Sequence, residues 1–297
     1  MAIFKIHDGK LEHIESVPFK TEKEIQTITE DNLEEVFGLD FVKRELVLNN
    51  FRVDTLAFDR QAKAFVIIEY KKDTSFSVVD QGYAYLALML NKKADFVLEY
   101  NEKYSANMRK NDVDWSQSRV VFVSPTFTSY QRQAINFKDL PFELWELRKY
   151  SNETISYTKI QATNTNESIA TVSKGEGNIQ EVISEIKVYT VEKLLEGSSD
   201  AVRDAYFLLR EEIYQVDGNA EERPAKTMIG YYSYGRGLLW IHPQKNRITI
   251  HLRKGTYTDK YGKLKYGGLG GYPVINLAEN DFDIVYLRGL IKQAYEH

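Results

Sequence analysis

The stretch "RVDTLAFDRQAKAFVIIEYKKD", residues 52–73, decides how the first half of the chain folds. Its second part contains an uninterrupted apolar run at residues 65–68, which is typical of a strand buried inside a sheet. Glu69 follows that run at once, and Lys71 stands two positions later. Because side chains alternate along a strand, both charges are predicted to lie on the same face. A buried charge is costly unless it is paired or binds a metal, so the sequence predicts one of these arrangements.

The neighbouring sequence predicts an α/β fold in which helices flank a mixed sheet. Three β-branched and aromatic runs separated by short turns predict an antiparallel meander, and apolar residues at three-to-four spacing after Ser77 predict a helix packed against it. Thr21 is predicted to cap an earlier acidic helix. The predicted strands are 42–48, 51–59, 64–72, 94–100, 119–125 and 142–147, and a further helix is predicted at 129–137.

The composition changes at residues 151–181, which are rich in Ser, Thr, Asn and Gly and poor in large apolar side chains. We therefore predict a first domain at 1–160, a polar linker at 161–185 and a second domain at 186–297. In the second domain the pattern predicts a helix over 191–214, a hairpin with its turn at 244–246 and a terminal helix over 283–295. The prediction for this half is a small α+β domain.

The composition excludes several kinds of protein. With 43% hydrophobic residues among 297, the chain has enough apolar surface for a sizeable core, and its net charge of -4 excludes a uniformly basic nucleic-acid binder. The absence of cysteine excludes disulfides and thiolate metal sites, so a metal would need oxygen or imidazole ligands. No apolar run reaches the length of a membrane span, and the first residues do not look like a signal peptide. A cytoplasmic protein without a membrane partner is the resulting expectation.

The chemistry is expected where the meander brings carboxylates together. Asp54 lies on the strand before the one that carries Glu69, and a short turn between antiparallel strands can place the two side by side. Two carboxylates suit Mg²⁺ or Mn²⁺, which take oxygen ligands and keep several waters. Lys71 could then orient an attacking water or stabilise negative charge that develops on phosphorus.

This arrangement resembles the active-site signature of the PD-(D/E)xK, or restriction-endonuclease-like, nuclease superfamily. Asp54 matches the first acid of that signature, Glu69 the second and Lys71 the lysine, whereas the proline before the first acid is absent here. Within the superfamily the chain is most similar to archaeal-type endonucleases that cut branched or mismatched DNA. The resemblance covers the first half of the chain and implies a restriction-endonuclease-like fold.

Four further positions belong to the same resemblance. They are an acid on the early helix, Glu22, an arginine before the first acid, Arg52, and a Gln and a Tyr on the following helix, Gln81 and Tyr85. The resemblance implies that Glu22 supports the metal, that Gln81 positions the lysine or a phosphate, and that Arg52 and Tyr85 contact nucleic acid, whereas the residue type alone favours packing for Tyr85. The Gln and the Tyr are four residues apart, so both are predicted on one helix face, opposite the apolar stripe.

The implied activity is metal-dependent endonuclease cleavage of DNA, a hydrolysis of phosphodiester bonds with Mg²⁺ or Mn²⁺ as cofactor. The products implied are a 5′-phosphate and a 3′-hydroxyl. Such nucleases often dimerise, which leaves a homodimer open, but nothing in the sequence shows an interface. Alternatives remain open from the residues alone. Glu69 and Lys71 could be a solvated surface pair, and Glu12 or Glu24 could fill the role of Glu22. The chain could also be a module that binds nucleic acid or a protein partner without hydrolysis.

The second domain carries a basic, tyrosine-rich strip between residues 245 and 265. Lysine and arginine neutralise phosphates and aromatic rings stack on bases, so the strip is a candidate nucleic-acid surface, with a solvated hairpin loop as the alternative. The candidate contacts are Arg247, Arg253, Lys254, Lys260 and Lys263. This half also resembles a small α+β domain of unassigned function that is found behind such nucleases.

Overall fold

The computed structural model describes residues 2–74, 76–136, 141–161, 187–267, 271–278 and 281–297. The chain divides into two compact units, Met1–Asp59 with Lys63–Ile186 and Arg60–Ala62 with Lys187–His297. The predicted linker at 161–185 lies outside the described residues except for its first residue. The linker therefore remains a prediction, and the two units are described one at a time.

The first unit is built on a seven-stranded mixed sheet, preceded by a separate two-stranded hairpin. The hairpin strands are β1 (Ile3–His7) and β2 (Lys10–Ile14). The sheet strands are β3 (Ser16–Val17), β4 (Asp40–Leu48), β5 (Phe51–Asp59), β6 (Ala64–Tyr70), β7 (Arg119–Ser124), β8 (Phe142–Tyr150) and β9 (Ile155–Lys159). The strand order is β3-β8-β7-β6-β5-β4, with β9 also paired to β8. The β6–β7 and β7–β8 pairs are parallel, and the predicted β4–β5–β6 meander is antiparallel.

Helices cover both faces of this sheet. They are α1 (Glu22–Glu30), α2 (Leu33–Phe37), α3 (Val78–Asn91), α4 (Lys93–Tyr104) and α5 (Ser129–Ala134). One core lies between the sheet and α1 with α2, and it contains Ile25, Phe37 and Ile68. The other lies between the sheet and α3 with α4, and it contains Ile67 and Phe96. Strand β6 is buried along its whole length because it faces both cores, which explains its uninterrupted apolar sequence.

The predicted strand at 94–100 is wrong, because these residues belong to helix α4. Phe96, Val97 and Tyr100 lie at helical spacing and pack on the same core. A short, largely apolar segment of this kind, which also contains Asp95 and Glu99, cannot be assigned by alternation alone, and the helical spacing decides it. The other predicted strands of the first unit are present, with boundaries shifted by up to three residues.

The second unit is a five-stranded antiparallel sheet covered on one face by helices. Its helices are α6 (Val191–Leu195), α7 (Asp200–Val216) and α8 (Ile284–Glu296), and its strands, in spatial order, are β10 (Glu221–Pro224), β11 (Ile229–Ser233), β12 (Arg236–Pro243), β13 (Arg247–Leu252) and β14 (Val274–Ala278). The predicted single helix over 191–214 is interrupted around Gly197, whose φ of 85° lies in the left-handed region. The predicted hairpin is the β12–β13 pair.

The fold class predicted from the sequence is confirmed: a mixed sheet flanked by helices, with a second small α+β domain. Among the residues that the structure describes, no helix is both long enough and apolar enough to cross a membrane.

Gly82 packs closely against the ring of Phe142, which leads to a prediction about stability. A Cβ added at Gly82 of α3 would lie 2.5 Å from the ring of Phe142, a buried side chain of β8. Gly82→Ala is therefore expected to destabilise the first unit by about 1–3 kcal/mol through overpacking. Gly289→Ala is the matched control, because Gly289 lies within α8 and has no heavy atom within 4 Å of that Cβ position. The control should be neutral or stabilising by up to about 1 kcal/mol in urea unfolding, and equal effects of the two changes would contradict the prediction.

Candidate active site

Asp54 stands where the β5–β6 ladder ends. The two strands pair from Asp59 opposite Ala64 to Thr55 opposite Ile68. Beyond that point the backbone N–H of Tyr70 donates to Oδ2 of Asp54 at 3.1 Å. The carboxylate thus takes the place of a strand carbonyl as acceptor, which fixes it beside the end of β6.

The pleat of the sheet is irregular at the same point. Val53 packs in the core under α3 and α4, whereas Thr55 donates to Glu30 of α1 on the opposite face at 2.5 Å. In a regular strand two residues at this spacing share a face, so the alternation is broken at Asp54. Glu45, which lies between the paired positions of β4, has a φ of 50° in the left-handed region. Irregularities of this kind re-aim side chains, and this one directs Asp54 toward Glu69.

Glu69 is buried, with 3% of its surface exposed, and three side chains bind it. Its Oε1 accepts from Lys71 Nζ at 2.5 Å and from Gln81 Nε2 at 2.7 Å, and its Oε2 accepts from the hydroxyl of Tyr85 at 2.8 Å. Glu69 and Lys71 therefore lie on one face of β6, as the alternation predicts. The pair is not a solvated surface pair, because both side chains are largely withdrawn from water.

Burial raises the pKa of Asp54 from its ordinary value of 3.8 to about 6. The negative charges of Glu69 and, to a smaller extent, Glu22 add to the rise, while the Tyr70 N–H and the Lys71 ammonium oppose it. The described surroundings thus carry too little positive charge to hold Asp54 ionised as readily as in water. A further cation at this place would relieve the imbalance.

Helix α1 supports this arrangement through three residues spaced four apart, Glu22, Gln26 and Glu30. Oε1 of Glu22 accepts from the backbone N–H of Lys72 at 3.1 Å, just after β6. Gln26 Nε2 donates to the carbonyl oxygen of Asp54 and to Oε1 of Glu30, each at 3.0 Å. Sequence analysis singled out Glu22 but missed Gln26 and Glu30. The signal available was their spacing, since i and i+4 positions share one helix face.

The donor set fits a hard divalent ion held by two carboxylates. Within the described residues no group of three or more His, Asp or Glu side chains is arranged to hold a metal, so Glu22 does not complete a three-acid cluster with Asp54 and Glu69. Magnesium is usually bound through one or two carboxylates and keeps waters or substrate oxygens as its other ligands. Oδ1 of Asp54 and a second lone pair on Oε2 of Glu69 are not used by the hydrogen bonds described above.

The two residues expected to contact nucleic acid in the first unit are placed differently. The side chain of Arg52 is 61% exposed and pairs with Glu45 at 2.5 Å. Tyr85 is 5% exposed, and its hydroxyl lies between Glu69 and the carbonyl oxygen of Arg52. The expectation that Tyr85 lies opposite the apolar stripe is wrong, because the helix turns this residue toward the sheet; its contact with nucleic acid stays a prediction.

The basic strip of the second unit is partly used within its own loop. Arg253 is buried and its Nε donates to the carbonyl oxygen of Gly237 at 2.6 Å, so its guanidinium is engaged within the fold, and its contact with nucleic acid stays a prediction. Lys263 pairs with Asp281. The other three members have uncharged neighbours. Arg247 donates to Gln244, Lys254 lies 5.5 Å from the ring centre of Tyr272, and Lys260 lies 5.1 Å from the ring centre of Tyr261.

Comparison with known proteins identifies a relative along the whole chain. An uncharacterized protein of Haemophilus influenzae is 40% identical over 302 residues, covering 99% of this chain and 99% of the relative. The chain belongs to the family of this protein. Residues 191–297 also match the model of a domain of unknown function, DUF5655, which agrees with the predicted resemblance of the second half.

Three solved structures show a partial likeness. They are a repair endonuclease from Pyrococcus abyssi (19% identity, 44% of this chain and 49% of that chain, TM-score 0.25), an EndoMS–double-stranded DNA complex (19%, 48% and 50%, TM-score 0.26) and Pyrococcus furiosus SfsA in complex with Ca²⁺ (15%, 53% and 74%, TM-score 0.25). The chain spans about half the length of the two endonucleases. Likenesses with TM-scores this low do not indicate a function for this chain.

Proposed function

We propose that this protein is a metal-dependent nuclease that hydrolyses DNA phosphodiester bonds at Asp54, Glu69 and Lys71. The observation that carries the proposal is the convergence of two largely buried carboxylates and one ammonium at the end of a strand ladder, with the pKa of Asp54 raised by burial and by the charge of Glu69. A structural ion pair needs one acid and one base. A second acid directed to the same place by an irregular pleat supports a further cation there.

Asp54 and Glu69 are the proposed ligands of Mg²⁺ or Mn²⁺, and Glu22 supports the site by holding the backbone of Lys72. When bound, such an ion supplies a Lewis acid that neutralises charge on a phosphoryl oxygen and lowers the pKa of bound water. Gln81 and Tyr85 hold the carboxylate of Glu69 in a fixed orientation. That fixed orientation matters because a misplaced catalytic group loses much of its effect.

Lys71 has the role of orienting the attacking water and stabilising negative charge on the phosphate. Its ammonium is 2.5 Å from Oε1 of Glu69, and its side chain is still 21% exposed, so a phosphate can reach it. Water loses a proton to solvent as its oxygen forms the new bond to phosphorus, and the bond from phosphorus to the 3′ oxygen breaks. That oxygen takes a proton from solvent and leaves as a 3′-hydroxyl, and the other product ends in a 5′-phosphate.

The proposal is tested by incubating the native chain and Glu69→Gln with single-stranded, duplex and branched DNA in Mg²⁺, Mn²⁺ or EDTA. We expect cutting by the native chain that requires a divalent ion, and a loss of about 100-fold or more in Glu69→Gln. Glu296→Gln, at the exposed end of α8, is the matched control and should cut like the native chain.

Absence of cutting on all three substrates with both ions would contradict the proposal. If DNA affinity were then present and fell steeply with salt, the chain would be a nucleic-acid-binding module on the same fold. If affinity were absent even at low salt, a protein-binding module would be the remaining candidate.

A further inference from the structure

A groove of about 500 Å³ opens beside the candidate active site, between the first turn of α3 and helix α5. This volume lies within the range of small-molecule sites, roughly 300–1,000 Å³. Its lining includes the side chains of Phe76, Val79, Asp80, Tyr130, Gln131 and Ala134. The groove is thus large enough to hold a nucleobase, and no role in the proposed hydrolysis has been assigned to it above.

The groove lies next to the proposed active site. The ammonium of Lys71 lies 5.9 Å from the ring centre of Phe76. On α3, Asp80 lines the groove and the next residue, Gln81, donates to Glu69 at 2.7 Å. Phe76 thus links Lys71 to the groove, and a strand whose phosphate lies at Lys71 passes this wall.

The groove wall is held in place by Gln131, which is 3% exposed. Its Nε2 donates to the carbonyl oxygens of Thr74 and Phe76 at 3.1 and 2.9 Å, and its Oε1 accepts from the backbone N–H of Thr128 at 2.9 Å. The amide therefore joins the segment after β6 to the cap of α5. A pre-formed wall of this kind favours binding because less ordering is needed.

The lining chemistry selects the kind of group that fits. No Lys, Arg or His side chain lines the groove within the described residues, and the carboxylate of Asp80 accepts from Ser77 Oγ at 2.5 Å. That carboxylate repels a phosphate but can accept from the amino group of a base. Tyr130 is 80% exposed, so one face of its ring is open for stacking.

We infer that the groove receives an unpaired nucleobase of the DNA strand whose phosphate lies at Lys71. The inference rests on the proposed function for its ligand, since it names the substrate as DNA with at least one unpaired base next to the cutting site. Phe76 and Val79 supply the apolar walls, Tyr130 the stacking face and Asp80 the acceptor.

The test measures binding in EDTA, so that it does not depend on cleavage. The full chain is titrated into a fluorescently labelled single-stranded oligonucleotide and into its duplex, and 2-aminopurine placed in the single strand reports stacking. Tyr130→Ala should weaken single-strand binding about tenfold and abolish the 2-aminopurine change, because stacking on one aromatic ring contributes roughly 1–3 kcal/mol. Duplex affinity should change less than twofold, and Tyr130→Phe should behave as the native chain.

Two further variants make the result specific. Ala134→Leu should reproduce the loss by filling the groove while Tyr130 is kept, and Tyr234→Ala, which removes a 72% exposed tyrosine from the second unit, should have no effect. The inference is overturned if Tyr130→Ala binds the single strand like the native chain, if both DNA forms lose affinity equally, or if the native chain binds neither. If Tyr130→Ala lost single-strand affinity but the native chain never cut DNA, the role of the groove in base binding would stand and the proposed nuclease activity would be refuted. Metal-dependent cutting by the native chain, together with unchanged single-strand affinity in Tyr130→Ala, would support the nuclease and refute the role of the groove.

Discussion

Lys71→Ala is expected to lower the rate of metal-dependent DNA cleavage by about 100-fold or more. Lys71 has the only ammonium group recorded in contact with the Glu69 carboxylate among the described residues. Removing one preorganised group that stabilises charge on the reacting phosphate costs roughly 10²–10³ in rate. DNA affinity in EDTA should fall much less, because a single phosphate contact contributes a small share of the total. Initial rates of cutting with saturating DNA, beside binding isotherms, separate the two effects.

Lys72→Ala is the matched control for this change. Lys72 is the next residue, its side chain is exposed, and its contact with Glu22 is made by the backbone N–H, which alanine keeps. We expect its cutting rate to stay within about threefold of the native rate. Equal losses of cutting rate in the two variants would show that positive charge near this strand end matters more than the position of Lys71. Such a result would remove Lys71 from the proposed mechanism.

Asp54→Asn is expected to stabilise the metal-free protein by on the order of 2 kcal/mol at neutral pH. Burial and the charge of Glu69 raise the folded-state pKa of Asp54 to about 6, above its ordinary value of 3.8. The ionised folded state is therefore penalised, and this penalty is complete at pH values above about 6. It disappears as the pH falls toward 4, because the folded state then binds a proton that the unfolded state lacks. The stabilising effect of asparagine should disappear over the same range.

Chemical unfolding of the first unit in EDTA, between pH 4.5 and pH 8, measures this effect. Asparagine can still accept from the backbone N–H of Tyr70, so the ladder end should be kept. Asp73→Asn is the control, since Asp73 is exposed and lies just beyond β6. A destabilised Asp54→Asn at pH 8 would mean that the carboxylate is structural, with a net favourable interaction in the fold.

Elements of the fold that depend on local sequence patterns can be predicted from the sequence. The meander follows from runs such as 64–70, and the face shared by Glu69 and Lys71 follows from alternation. The sequence predicts a strand in place of helix α4 because residues 94–100 are largely apolar, although the spacing of Phe96 and Tyr100 is helical.

The predicted site was partly accessible from the residues. Alternation and a short turn indicate that Asp54 and Glu69 are neighbours. The pleat irregularity that orients Asp54, however, depends on the left-handed backbone of Glu45, and no local sequence pattern predicts that conformation. The polar stripe of α1 was visible as spacing, yet its partner, the backbone carbonyl of Asp54, is 28 residues from Gln26 in the chain. The burial of Tyr85 likewise depends on how α3 is rotated against the sheet. Long-range geometry of this kind decides which polar residues work together.

The central claim is that Asp54 and Glu69 together bind one divalent ion. Its most direct test is titration of Mn²⁺ into the native chain and into the double variant Asp54→Asn/Glu69→Gln, followed by calorimetry or by the signal of free Mn²⁺ in electron paramagnetic resonance. We predict one site in the native chain that Mg²⁺ displaces and that is absent from the double variant. Equal Mn²⁺ binding by both proteins, or none by the native chain in the presence of DNA, would contradict the account.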